Sequence, residues 1–343
     1  MKNKFKFIFY IFGGLIIFLG ALFVFLDHER YEGSEYPVKS PLRLPVDMWP
    51  GNFWILIADK KGFFSDEGLD PQLIDVSADY YGWMDELDKG NIDSMCVSIF
   101  DLVSRNENGS DLVGVLYTDF SKGAEGLLAK EPYKSIKDLA GRRIGVESGT
   151  YLEFFLEIAM GNANMPDNSY DKIYYSSNSL KDAYINGEVD AIILWDPDLS
   201  VAQQKAGGNI VFSTGDIPGM SPGIFVFKKD FLNKRQNDVY RLLKVWQKTT
   251  SFILNNPDEA VKIISSHQFA DGQKYTEKDI SDLMKSDILV TLKDNFRAFT
   301  FQAGFDSLYG NAQYAAKFLQ ERNKNNKFID TNLMLDNTFI HKL

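Results

Sequence analysis

From Leu42 onward, short apolar runs alternate with stretches whose apolar positions recur every three or four residues. Leu42 to Met48 is strand-like and stops at Trp49-Pro50-Gly51. Phe53 to Lys61 has helical spacing, and Gly62 suits a left-handed cap at its end. A turn at Ser65-Asp66-Glu67-Gly68 leads to a strand from Pro71 to Val76, a helix from Tyr80 to Lys89 closed by Gly90, and a strand from Ile92 to Ser98. A short helix follows, then a strand from Leu112 to Tyr117. Strand–helix–strand alternation at this spacing predicts a mainly parallel sheet covered by helices.

A second round begins at Ser135-Ile136-Lys137-Asp138, where serine and aspartate three positions apart form a capping signal. Arg143 to Glu147 reads as a strand, and Ser148-Gly149-Thr150 leads into an apolar helix from Tyr151 to Met160. Strands are expected at Lys172 to Tyr175, Val189 to Trp195 and Gly223 to Phe227, with a helix at Leu180 to Asn186 ended by Gly187. Beyond them, amphipathic helical spacing dominates around Asp238 to Asn255, Asp258 to His267, Glu277 to Met284 and Phe305 to Gln320. Two α/β segments followed by a helical tail predict two lobes. The chain would cross between them near Phe120 to Leu128 and return near Ser213 to Ile224.

The N-terminus is patterned differently. Twenty consecutive residues, Phe7 to Leu26, carry no charge. At 1.5 Å per residue a helix of that length spans the roughly 30 Å hydrocarbon core of a bilayer. Lys2, Lys4 and Lys6 precede it and Asp27, His28, Glu29 and Arg30 follow, so the positive-inside rule leaves residues 1–6 in the cytoplasm and exports the rest. A cleaved signal peptide is the competing reading. Its apolar region is normally about 7–15 residues long and ends at a small-x-small site, whereas this run ends in Leu22-Phe23-Val24-Phe25-Leu26. A lipoprotein is excluded because the only cysteine is Cys96. The expected order is a transmembrane anchor or uncleaved signal over 7–26, a polar tether over 27–41, a first lobe over 42–125, a second over 126–218, and completion of the first with C-terminal helices over 219–343.

Composition narrows the function. Without the three N-terminal lysines, basic residues number 34 against 47 acidic ones, a net charge near −13 with no basic cluster, which argues against nucleic acid. One cysteine makes no internal disulfide, and Cys96, inside Met95-Cys96-Val97, reads as a small core residue. The three histidines are scattered, so a histidine metal site is not expected; His267 ends a helical pattern, where the helix C-terminus accounts for it. No Gly-x-Ser-x-Gly elbow, phosphate loop or His-Glu-x-x-His motif is present.

Several stretches, in order and at their separations, carry a family resemblance: Trp49-Pro50-Gly51, Ala58-x-x-x-Gly62-Phe63-Phe64-x-x-Glu67-Gly68-Leu69, Gly90-x-x-Asp93, Asp119-x-Ser121-x-Gly123-Ala124-Glu125-Gly126, Ser135-Ile136-Lys137-Asp138-Leu139-x-Gly141-x-x-Ile144-Gly145-Val146, Gly187-Glu188-Val189-Asp190-Ala191 and Trp195-x-Pro197. Over Leu42 to about Asn255 the chain resembles the periplasmic substrate-binding proteins of ABC importers, in the nitrate, sulfonate, taurine and thiamine-pyrimidine (SsuA/THI5-like) branch. The resemblance implies a bilobal periplasmic-binding-protein fold, type II-like, with two α/β lobes, a cleft and a hinge, here preceded by one N-terminal transmembrane helix. It implies a small-molecule ligand, an importer permease as partner, a monomer, no cofactor, and a place on the outer face of the cytoplasmic membrane.

Ligands of open α/β sheets bind at the carboxyl ends of strands. That rule selects Trp49, Asn52 and Phe53 in the first strand-to-helix turn, Ser98, Phe100 and Asp101 in the turn after the Cys96 strand, Ser148, Gly149 and Thr150 before the second-lobe helix, and Trp195 and Asp196. Free N–H groups at Ser148-Gly149-Thr150 would hold an acceptor, although an ordinary helix cap needs the same residues. Trp49 and Trp195 would enclose a ring or an alkyl ammonium, or else pack within their own lobes. Oxyanion binders benefit from Arg or Lys in the cleft. These turns hold Asp101 and Asp196 instead, with Asp47 nearby, which favours an amine-bearing heterocycle such as an aminopyrimidine. The alternatives are a membrane-tethered sensing ectodomain acting through a partner and, on the resemblance to a pyrimidine-forming branch, a biosynthetic enzyme.

Overall fold

The computed structural model describes residues 41–323 and 329–343. The apolar run at 7–26 and residues 27–40 of the expected tether lie outside them. Among the described residues no helix is long and apolar enough to cross a membrane.

The first lobe opens with β1 (Leu42–Val46), whose parallel partner is β2 (Pro71–Asp75). Between them α1 (Phe53–Lys61) buries six consecutive residues, Phe53 to Ala58, and Gly62 stops it at φ +72°, where a side chain would be strained. A single turn, α2 (Phe63–Asp66), leads on to β2. Next, α3 (Tyr80–Lys89) is capped by the Asp79 carboxylate, which accepts from Gly82 N–H, and ends at Gly90 with φ +79°. It leads to β3 (Ser94–Ser98), α4 (Ile99–Glu107) and β4 (Leu112–Ser121).

At Lys122–Ala124 the chain leaves this lobe. Strand β5 (Glu125–Ala129) belongs to a second sheet with β6 (Arg143–Val146), β7 (Asp171–Tyr174), β8 (Ala191–Trp195) and β9 (Asn209–Ser213), in the order β7-β6-β8-β5-β9. Helices α5 (Tyr151–Asn162), α6 (Ser177–Ile185) and α7 (Asp198–Ala206) belong to this lobe. After Ser213 the chain returns to β10 (Pro222–Lys228), which lies between β4 and β3 in the first-lobe sheet; β11 (Asp287–Leu289) completes the order β11-β4-β10-β3. The helical tail is α8 (Lys229–Asn255), α9 (Pro257–Ser265), α10 (Glu277–Ser286), α11 (Leu292–Ala298) and α12 (Leu308–Asn323).

Neither larger sheet is mainly parallel: the first-lobe sheet is antiparallel and the second-lobe sheet is mixed. The β3–β10, β10–β4 and β4–β11 pairs are antiparallel, as are β5–β8 and β5–β9, while β6 pairs in parallel with β7 and β8. The reason lies in the two crossings. Strands β5 and β10, which enter a lobe from its neighbour, take part in every antiparallel pair but β4–β11. The alternation rule does not govern strands that arrive that way.

Apolar packing fills both lobes. Trp54 meets Phe225 edge to face at 5.5 Å in the first, and Phe155 lies 5.7 Å from Phe212 in the second. Each fully buried side chain of this size contributes about 1.5–3 kcal/mol. Phe318 of α12 touches both lobes: its ring is 5.8 Å from Phe100 and 5.1 Å from Phe154, which themselves stack at 5.0 Å. Four residues on, Arg322 pairs with the buried Glu153 and donates to Ser148 Oγ at 3.0 Å.

Candidate functional site

A cavity of about 470 Å³ lies between the lobes, a size suited to a small organic ligand. Its first-lobe wall comes from the ends of β1, β2 and β3 and the start of α3 (Asp47, Trp49, Ser77, Tyr80, Ser98, Asp101) and from the loop before α10 (Asp271, Gln273, Tyr275). The second lobe supplies Tyr151, Lys181, Trp195, Asp196 and Asp198. Glu125 and Ser221 come from the two crossings.

Each wall residue is held by the local fold. Asp47, just past β1, accepts from the Trp49 backbone N–H at 2.9 Å, and its two carboxylate oxygens both accept from Asn52 Nδ2, at 3.1 and 3.0 Å. Ser98 caps α4 by accepting from Asp101 N–H, and its hydroxyl donates back to Asp101 Oδ2 at 2.7 Å. Tyr80 donates to the same oxygen at 3.0 Å. Trp195 ends β8 and meets the Tyr80 ring across the cleft at 6.3 Å, tilted by 65°. Asp196, joined to Pro197 by a cis peptide bond, accepts from Ser200 N–H and Oγ at 3.0 and 2.7 Å.

The site is acidic and poorly solvated. Burial pushes the Asp47 and Asp101 carboxyls up to about 6, against the hydrogen bonds just described, and it pushes Glu125 up to about 7. Burial also raises Asp196. Beneath the wall, Asp119 and Asp287 are fully buried; burial, then the neighbouring Asp119 charge, drives Asp287 well above the usual carboxylate range. Asp119 accepts from Thr118 Oγ1 at 2.5 Å and from Trp49 Nε1 at 2.6 Å, the contacts that suit the ionised member of the pair. Among the described residues Lys181 is the one basic side chain of the cavity wall, and it is already paired with Asp198.

Five residues selected from sequence, Trp49, Ser98, Asp101, Trp195 and Asp196, are brought together around this cavity. The other six lie off its wall. Asn52 is buried behind Asp47 and orients it. Phe53 is in the first-lobe core, and Phe100 faces Phe154 and Phe318. The Ser148-Gly149-Thr150 turn is satisfied from within. Gly149 N–H donates to Glu153 Oε2 at 2.7 Å, Thr150 Oγ1 donates to the Glu147 carbonyl at 2.9 Å, and Ser148 Oγ accepts from Arg322. The anion at this helix start is therefore Glu153, whose own carboxylate stands where an external acceptor was expected.

Cys96 is a wall residue too, with Sγ 3.2 Å from Thr118 Oγ1, and burial holds its thiol well above the usual range. Sequence reasoning did not select Tyr80, Glu125, Tyr151, Lys181 or Ser221. For Glu125 and Ser221 a signal existed, since both fall within the segments expected to cross between lobes. Among the described residues no three His, Cys, Asp or Glu side chains are grouped to hold a metal ion.

Two lobes, two crossings and a ligand-sized cavity between them define a bilobal solute-binding protein with the periplasmic-binding-protein fold. The chain belongs to the NMT1/THI5-like family, whose model matches residues 49–260. It is 26% identical over 335 residues to a Bacillus subtilis protein named for binding aliphatic sulfonates, covering 96% of each chain. The fold matches that of the periplasmic aliphatic sulphonate binding protein SsuA of Escherichia coli with a TM-score of 0.68, at 17% identity over 86% of this chain and 97% of that one. It matches the alkanesulfonate-binding SsuA of Xanthomonas axonopodis pv. citri, bound to MOPS, with a TM-score of 0.69, at 13% identity over 88% and 100% of the two chains. All three are named for binding.

Proposed function

We propose that this chain is the extracytoplasmic solute-binding protein of an ABC-type importer, and that its ligand is a small organic molecule bearing an amine or a pyrimidine-like ring. The importer role is supported by the family and by the sulfonate-binding relatives. The ligand class is carried by one observation: among the described residues, Asp47, Asp101, Glu125, Asp196, Asp198 and Asp271 line the cavity against a single, already paired Lys181. An oxyanion bound there would face several carboxylates and would have to displace Asp198 to gain its one cation. Closure of the lobes on the ligand shifts the population toward the shut form, and no covalent chemistry is needed.

The division into 42–125, 126–218 and 219–343 is supported by the membership of the two larger sheets, and the uncharged run at 7–26 supports retention at the membrane by a single N-terminal anchor. Capture by a monomer before docking to the permease completes the proposal.

The test is a thermal-shift panel of aminopyrimidines, thiamine, choline-like amines, taurine, alkanesulfonates and nitrate on the purified full-length chain. A ligand confined to the native state adds about 2.7 kcal/mol of stability at one hundred times Kd. A shift with the amines supports the reading. A shift with sulfonates or nitrate alone retains the binding role and overturns the ligand class.

A further inference from the structure

Two buried polar groups on the cavity wall stand out because they make no hydrogen bond among the described residues: Glu125 Oε2 and the Tyr151 hydroxyl. Their residues are only 3% and 4% exposed. Such groups are costly to leave unmatched, and a ligand that satisfies them recovers that cost. The other carboxylate oxygen, Glu125 Oε1, accepts from Ser221 Oγ at 2.9 Å, so Oε2 is held with little freedom. Glu125 is also the register partner of Trp195 on the adjacent antiparallel strand, and paired residues of such strands project to the same side. An acceptor with one oxygen uncommitted thus stands beside an indole, and a hydroxyl completes the group.

We propose that Glu125, Tyr151 and Trp195 form the head-group subsite of the cavity. In it Glu125 Oε2 accepts a hydrogen bond from an amine or amidine nitrogen, Trp195 covers the cationic or aromatic face, and the Tyr151 hydroxyl meets the neighbouring polar atom. The combination fits an aromatic or benzylic nitrogen cation better than a sulfonate, because a carboxylate repels an anion and an indole face attracts a cation. This assignment rests on the solute-binding reading above and gives its ligand class a location. Glu125 opens β5 directly after one crossing and Ser221 precedes β10 at the end of the other, so a ligand held there is held beside both passages between the lobes.

Isothermal titration with benzylamine, benzamidine and benzenesulfonate, which share a ring and differ in head group, tests the assignment on the full chain and on the variants Glu125→Gln and Tyr151→Phe. Circular dichroism and the melting temperature of each variant establish that it is folded. The cations should bind the parent chain, and Glu125→Gln should weaken them about tenfold or more while leaving benzenesulfonate no weaker. Tyr151→Phe should weaken them by a smaller factor. Cation binding unchanged in both variants would overturn the subsite and spare the proposed ligand class. Binding of benzenesulfonate alone would overturn both, and so would the absence of binding by all three probes, while leaving the importer role standing on the family.

Discussion

Trp49 Nε1 donates to Asp119 Oδ2 at 2.6 Å, tying an aromatic residue of the cavity wall to a carboxylate wholly buried in β4. The bond spans seventy residues of sequence and fixes the first strand-to-helix turn against the central sheet. Two glycines make room for it. A Cβ built on Gly51 would lie 1.9 Å from Asp119 Oδ1, and one built on Gly223 would lie 2.1 Å away.

Gly223→Ala and Gly51→Ala should therefore each destabilise the protein by about 1–3 kcal/mol, the usual cost of overpacking. The comparison is Gly161→Ala, in α5, where a Cβ meets nothing within 4 Å. That change should leave stability unchanged or raise it by up to about 1 kcal/mol, since alanine is the better helix former. Chemical denaturation of the three variants checks the contrast, and equal effects at all three would contradict it.

Trp49→Phe keeps the ring and removes the donor. Asp119 loses a partner at a buried position, which costs about 1–3 kcal/mol. The midpoint of urea unfolding should fall with its slope unchanged.

Trp195→Ala and Asp196→Asn should weaken ligand binding and leave folding nearly intact, because both side chains are only half-buried at the cavity wall. The measurement is titration of each variant with whichever amine gives the largest thermal shift, alongside its melting temperature. Unfolding of both variants would move these residues from the site to the core.

Stability of the unliganded protein should fall as pH rises from about 5 to 8. Asp47, Asp101 and Glu125 all have folded values above their ordinary ones, at about 6, 6 and 7, chiefly because they are buried. The native state therefore holds more protons than the unfolded chain over this window, and the slope of stability with pH is negative. The contribution is complete below the unfolded carboxyl values and is lost as pH passes through the folded ones. Glu125 alone accounts for roughly 3 kcal/mol across the window. The groups that act on it are the Ser221 hydroxyl, which donates to Oε1, and the nearby Ser121 and Thr214 hydroxyls, all of which lower it, and the Asp119 charge, which raises it. Melting curves at three pH values, with the Glu125→Gln variant showing a flatter profile, check the sign.

Much of the local structure was legible in the chain. Gly62 and Gly90 end their helices where the spacing placed them, and both require positive φ. The capping signal at Ser135 and Asp138 is realised, though as a short 3-10 turn. The long helix was read from Asp238 and begins at Lys229, because non-helical geometry at Arg235 interrupts its periodicity. The short strand at Asp287 carried no alternation to detect, having three residues and a buried acid at its start. The site was legible where a strand end alone supplies the wall, as at Ser98 and Trp195. It was illegible where a distant partner decides orientation: nothing near Ser148 in sequence announces Arg322.

The edge of Phe318 against the stacked Phe100–Phe154 pair, with Arg322 on Glu153 beside it, bears on how fast the protein lets go of its cargo. A joint of packed rings resists shear, so parting the lobes must strain contacts that lie off the cavity wall. Residence time is then set partly by the stiffness of a joint in the C-terminal helix. Release could be quickened or slowed there by substitution, with the chemistry of recognition left as it is.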